Sequence, residues 1–210
     1  HYEWSTAQNL YEDFPESGSV PGALIQSNEE NRSYYNIFSE VNWTLQNTLI
    51  SAGFNFNQTD YELNNTFRTS GEDISGDYRY DPIFNPKIGI SHTIDRNVFF
   101  ASWSYGFSTP SLEETLNPDG SLNTDITPET GRSAEVGWRW LGNGFTSEVT
   151  AYQMDIRDLL VARRTAEDAF VGINAGRTSH LGLETSLSST YILSESWSLE
   201  AKGTAAFNRF

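Results

Sequence analysis

Apolar residues fall on every second position in seven separate stretches of this chain, the spacing that sends successive side chains to opposite faces of a β-strand. From Tyr35 to Trp43 one face carries Tyr35, Ile37, Ser39, Val41 and Trp43, and the other Asn36, Phe38, Glu40 and Asn42. The same division recurs around Ile50 to Phe56, Ile88 to His92, Phe99 to Phe107, Ala134 to Trp140, Leu181 to Tyr191 and Trp197 to Phe207. No Asp, Glu, Lys or Arg stands on the apolar parity of these stretches. The opposite parity is mainly Ser, Thr, Gly and Asn, with scattered charges. A soluble sandwich would turn a charge-rich face to bulk water. A face of small polar residues suits a hydrated lumen, and the apolar face then meets lipid.

One stretch breaks the rule. Phe145 and Val149 share one parity while Tyr152, Met154 and Ile156 share the other, which predicts a β-bulge near Thr150. Tight connections are expected near Gln46-Asn47, Asp95-Arg96-Asn97, Gly142-Asn143-Gly144 and Ser194-Glu195-Ser196. Long ones are expected from about Asn57 to Asn85, Ser108 to Arg132 and Leu160 to Gly172. The segment from His1 to Arg32, with Gly18, Pro21 and Gly22, reads as a further long loop entered by a partial strand. Short and long connections alternate, as they do between the periplasmic and outer rims of an outer-membrane barrel. The fold expected is all-β, an antiparallel transmembrane β-barrel. Here it is an open partial barrel of about eight or nine strands with long outer loops and short periplasmic turns. The turns recur about every 50 residues, as in kelch-type propellers, but the units share no residue-level similarity.

Composition removes several alternatives. Six Trp, 10 Tyr and 13 Phe supply interfacial anchors in a chain whose mean hydropathy is only -0.50. No run approaches the ~20 apolar residues of a membrane helix, whereas a barrel strand needs only about 10 with every second one apolar. The chain has no Cys, hence no disulfide or thiolate chemistry. A net charge of -15 speaks against a nucleic-acid partner.

Several stretches are familiar as words. "PKIGISHTIDRNVFFASWSYGFSTPSLEE", "PETGRSAEVGWR", "AYQMDIRDLLV" and "NAGRTSHLGLETSL", in this order between Pro86 and Leu187, resemble consecutive barrel segments of TonB-dependent receptors. "FSEVNWTLQNTLISAGFNF" is similar to the hairpin before them. One departure is Ser108-Thr109, where the family often has an Arg after the Gly-Phe pair, so no role is carried over for that Arg. The resemblance implies a barrel of about 22 strands filled by an N-terminal plug. On that view residues 1–210 are a partial receptor barrel, with the plug, the TonB box and the remaining strands not in this chain. It further implies energised uptake of a scarce solute, most simply a ferric siderophore, with the TonB complex, outer-membrane lipid and an iron chelate as partners. Cobalamin or a sugar is an alternative cargo.

No catalytic constellation is present. There is no Gly-x-Ser-x-Gly elbow and no Gly-rich phosphate loop with its Lys. The three His, at 1, 92 and 180, are too scattered for a metal site, and His92 reads as interfacial. Glu113-Glu114 reads as a solvated loop pair. No enzyme, cofactor or metal is expected. Lumen-parity charges Glu40, Lys87, Glu135, Arg139, Glu184, Glu200 and Lys202 read as cross-strand ion-pair ladders. Ligand contact is expected in the outer loops, at Tyr78, Arg79 and Tyr80 and at Arg163 and Arg164, because Arg forks grip anionic chelates and Tyr rings stack or donate. Two rival readings are a nontransporting barrel serving as adhesin or anchor, and a secreted carbohydrate-binding β-protein whose apolar faces would be buried in a core.

Overall fold

The computed structural model describes residues 2–11, 21–69, 71, 73–111, 113–118, 121–166 and 169–210. His1 and Gly18 lie outside the described residues. The strands are β1 (Tyr2–Tyr11), β2 (Leu24–Leu45), β3 (Thr48–Arg68), β4 (Gly76–Arg79), β5 (Ile83–Ile94), β6 (Asn97–Ser108), β7 (Glu129–Leu141), β8 (Phe145–Arg157), β9 (Leu160–Ala166), β10 (Ala169–Asn174), β11 (Arg177–Ser194) and β12 (Trp197–Arg209). A single sheet runs in the order β1-β2-β3-β5-β6-β7-β8-β11-β12, with β4 added to β3, and β9 and β10 form a separate hairpin. Each strand is antiparallel to the next, giving an open partial barrel. All four tight turns fall where the sequence places them. Gln46 and Asp95 turn with φ of 51° and 52°, and Gly144 with 74°.

Register joins the apolar parities into one belt. Trp43, Ile50, Ile90, Ala101, Val136, Ala151, Leu183 and Phe207 stand in one cross-strand row through eight strands. These side chains have no core beneath them: Val136 is 59% and Phe207 69% exposed. A sandwich or propeller would cover them, so the belt is built to be covered by something outside the chain.

The polar parity is packed by a different rule, large over small. A side chain at Gly137 would run into the Phe100 ring and one at Gly182 into the Tyr152 ring, and Ile156 leans toward Gly131. Tyr152 Oη then donates to Asn208 Oδ1 at 2.8 Å. Gly53 stands between Glu40 and Lys87 in a row across β2, β3 and β5, and those two side chains form an ion pair over it. Arg139 pairs with Glu148 on the neighbouring strand, and Lys202 with Glu200 along its own strand at 3.0 Å.

Two sequence expectations are corrected. β8 carries no bulge: its ladders to β7 and β11 run through Thr150 without a shift. Its parity break is real but is absorbed by facing glycines, so Tyr152, Met154 and Ile156 point to the polar side. The long connections are also shorter than expected. β2 and β3 continue as a ladder well past Asn57 to Gln26 and Arg68, β1 pairs with that extension, and Leu160 to Asn174 forms the β9–β10 hairpin. Beyond the belt the buried face of β2 and β3 carries polar residues such as Asn28, Glu30, Arg32, Asn57 and Thr59, so apolar alternation fades while backbone pairing persists.

Candidate ligand-capture site

Above the belt, alternation along β2 places Glu30 and Arg32 on the polar face, opposite Leu63 and Tyr61 of β3, and β4 sets Tyr78 beside Tyr61. The described parts of the segment 109–128, between β6 and β7, fold back over this surface. The Arg32 guanidinium donates to Pro110 O at 3.0 Å and to Thr115 Oγ1 at 3.1 Å, and lies 4.7 Å from the centre of the Tyr61 ring. The buried hydrophobic side chains Tyr61, Leu63 and Tyr80 gather here. The chain therefore has its densest packing where a barrel meets its loops.

This packing encloses polar atoms. Glu30 is fully buried and neither carboxylate oxygen has a hydrogen-bond partner; the same holds for Tyr61 Oη. Burial pushes the Glu30 carboxyl above the usual carboxylate range, and the nearby Tyr61 hydroxyl and Arg32 charge offset this in part. Burial likewise pushes Tyr61 up to about 12 and raises Tyr80 further. A string of amides and hydroxyls leads into the pocket from the wall: Asn57 Nδ2 donates to Asn36 Oδ1 at 2.9 Å, and Thr59 Oγ1 donates to Asn57 Oδ1 at 3.0 Å.

The residues expected to contact ligand are not all brought together. Tyr78 and Tyr80 share the inner face, their rings edge to face at 5.0 Å, with Tyr80 buried. Arg79 lies between them on the strand and so points to the opposite face, where it grips Asp60 at 2.6 and 3.2 Å. Arg163 and Arg164 are exposed on β9, opposite Val171 and Phe170 of β10. Segment 109–128 bridges the two groups: Asn123 Nδ2 donates to Gly172 O at 2.8 Å, and Asn174 exchanges hydrogen bonds with Thr127 at 2.7 and 2.8 Å. Sequence reasoning missed Glu30, Arg32, Tyr61 and Thr115. Their only signal was an alternating Glu30, Arg32 within a polar run, which has no meaning until the register supplies Tyr61. His92 lies on the lipid parity against Thr48 at 2.7 Å, and among the described residues no three His, Cys, Asp or Glu gather as a metal site.

The wall itself is split. The β5–β6 ladder ends at Lys87 and Ser104, above which β5 stays with β3 and β6 with β7. A cleft of about 620 Å³ opens there, lined by residues that include Tyr78, Tyr80, Phe84, Trp103, Tyr105 and Arg132.

The family model for the TonB dependent receptor-like β-barrel matches residues 1–210. The chain belongs to the TonB-dependent receptor family. Its fold recurs in the ferric citrate transporter FecA in its unliganded form, at TM-score 0.67 and 18% identity over 89% of this chain and 27% of that one. It also matches the copper transporter OprC at TM-score 0.62 and 13% identity, over 96% and 32%, and the siderophore receptor PirA from Pseudomonas aeruginosa at 0.52 and 18%, over 87% and 44%. At these identities the likeness is one of fold. The chain spans less than half the length of each of these structures. No curated protein matches it by sequence. This receptor barrel belongs to a family of transporters, not enzymes.

Proposed function

We infer that the whole protein is an outer-membrane transporter of a Gram-negative bacterium that takes up a scarce solute, a ferric siderophore or similar anionic iron chelate. The family match over residues 1–210 carries this reading. The loops capture the chelate, the TonB complex acts on a plug outside this chain, and the solute passes through the lumen between the polar faces. The barrel wall sits in outer-membrane lipid.

Within that reading Tyr78, seated edge to face on the buried Tyr80, offers its ring and hydroxyl from the inner side, and Arg163 and Arg164 offer guanidinium forks from the β9–β10 hairpin to the negative charge of the chelate. Arg79 acts by locking β4 to β3 through Asp60, which sets the pitch of its two tyrosine neighbours. The test is equilibrium binding of ferric citrate and of a panel of ferric siderophores to the full receptor. Tyr78→Ala and Arg163→Ala/Arg164→Ala should each weaken the bound chelate at least tenfold. Unchanged affinity in both variants would remove these residues from the site, and a receptor that binds none of the panel would remove the chelate.

A further inference from the structure

Where β5 and β6 part, side chains from both faces of the wall border the gap, because neither strand has a partner on that side. Pro86, which has no N–H to give to a ladder, stands at the point of separation. Five rings line the space of about 620 Å³: Tyr78 and Tyr80 from the inner face, and Phe84, Trp103 and Tyr105 from the other parity. Tyr78 rests edge to face on the buried Tyr80 at 5.0 Å, and Phe84 leans on Phe54 at 5.4 Å. Pro82, Pro86 and Pro128 complete the apolar lining. A cleft of ~300–1,000 Å³ with aromatic walls and a few polar groups is the usual form of a small-molecule site.

The polar groups decide what kind of molecule fits. The charged residues at the cleft are Asp81, Asp158 and Arg132. Both aspartates are exposed, and among the described residues neither carboxylate enters an ion pair. Arg132 stands in register with Asp155 of β8, so its charge already faces a carboxylate outside the cleft. The backbone of Asp158 is anchored: it turns with φ of 57°, and its carbonyl accepts from Asn174 Nδ2 at 2.6 Å. Asn174 also holds Thr127, which borders the same cleft. Ring faces attract a cation within ~6 Å of their centres, Trp most strongly. The two guanidinium groups that lie over rings, Arg32 on Tyr61 and Arg139 on Phe100, are elsewhere, so among the described residues no cation of the chain occupies these five. A net charge of -15 raises the local concentration of cations around the whole chain. An anion entering the cleft would meet two carboxylates and the negative faces of the rings. A neutral molecule would leave both aspartates unused.

We propose that this cleft is an aromatic cage for an organic ammonium group, its positive charge set between the rings of Tyr78, Trp103 and Tyr105 and the carboxylates of Asp81 and Asp158, with its apolar remainder against Phe84 and the prolines. The cage shares Tyr78 with the chelate contacts proposed above, but it reads the charge of an amine and does not depend on iron.

The test is a ligand-observed NMR titration of the full receptor in nonionic detergent with three compounds of one shape: choline, the uncharged 3,3-dimethylbutan-1-ol and the anion 3,3-dimethylbutanoate. The wild type should bind choline at least tenfold more tightly than the alcohol, and the anion no more tightly than the alcohol. D81N/D158N keeps the shape of both side chains, and Asn tolerates the left-handed turn at 158. It should lose at least tenfold in choline affinity with the alcohol unchanged. W103L should weaken choline at least fivefold, R132Q should tighten it, and E195Q, at the turn between β11 and β12, should change nothing. The folded state of each variant is checked by its heat-modifiable electrophoretic band. If the double variant does not fold, D158N alone carries the same direction. Equal affinity for the three compounds, preference for the anion, or wild-type choline binding by D81N/D158N would overturn the proposal. A receptor that binds no ferric chelate yet selects choline removes the chelate reading and leaves this one standing.

Discussion

Arg32→Ala should undock the segment 109–128 while leaving the wall intact. Arg32 is 6% exposed and supplies two charge-assisted hydrogen bonds to that segment, to Pro110 O and Thr115 Oγ1. Each such bond contributes about 1.5–3 kcal/mol, and the guanidinium over the Tyr61 ring adds up to about 2. These terms overlap, and removing one member of a buried charged group costs about 3–5 kcal/mol in all. Removal also strips Glu30 of its nearby cation. At 1.4 kcal/mol per factor of ten, the low end of that range is roughly a hundredfold shift in the docking equilibrium. Amide hydrogen exchange on the full receptor reads this directly. The amides of Thr115, Asn117 and Asn123, which donate to Ser111 O, Ser121 O and Thr115 O, should lose about 10² in protection, and those of β6 and β7 none. Arg32→Met keeps a side chain over the ring and loses the forks, so it should behave like Ala. A loss smaller than threefold, or an Arg32→Met variant as protected as the wild type, would refute the view that the hydrogen bonds hold this segment down.

Three further outcomes follow from the same geometry. Burial raises the Glu30 carboxyl, so folding favours its protonated form; docking is firmest at or below the ordinary carboxylate range and weakens as pH rises through the raised value. The protection factors of the described amides of 109–128, taken against the intrinsic exchange rate at each pH, should therefore fall from mildly acidic to neutral pH in the wild type and stay level in Glu30→Gln. Val136→Arg, facing lipid in mid-belt, should cost about 2–4 kcal/mol in unfolding from lipid vesicles, against less than about 1 for Ser133→Arg on the lumen parity. Gly182→Ala should displace the Tyr152 ring and break its bond to Asn208 at a cost of about 1–3 kcal/mol in the same assay, and Tyr152→Ser should rescue it; no loss in the single variant would mean the ring moves freely.

The wall was legible in the sequence because lipid on one side and water on the other impose the alternation strand by strand. Trp43, Ile50, Val136 and Phe207 declare their face without reference to any neighbour. What stayed hidden depends on a partner strand. Tyr152 looked like evidence of a bulge because the glycine that receives it, Gly182, lies in another strand. The upper reaches of β2 and β3 were read as loop because the face they bury is largely polar, with Asn28, Glu30, Arg32, Asn57 and Thr59 among Tyr61 and Leu63, and ladder hydrogen bonds leave no mark on residue choice there. In the candidate site Tyr78 and Tyr80 were found together, but neighbours on a strand diverge, and this alone turns Arg79 away to Asp60. Arg32 was invisible as a site residue because Pro110 and Thr115 reach it from 78 and 83 positions away.

Glu40 and Lys87 clasp each other over Gly53, a residue of a strand to which neither belongs. A slip of β3 by one position would put Ala52 or Phe54 in that gap, turn the lipid side of the strand inward, and part the two charges. The pair thus ties the register of three strands together: it closes over a glycine only when β2, β3 and β5 agree.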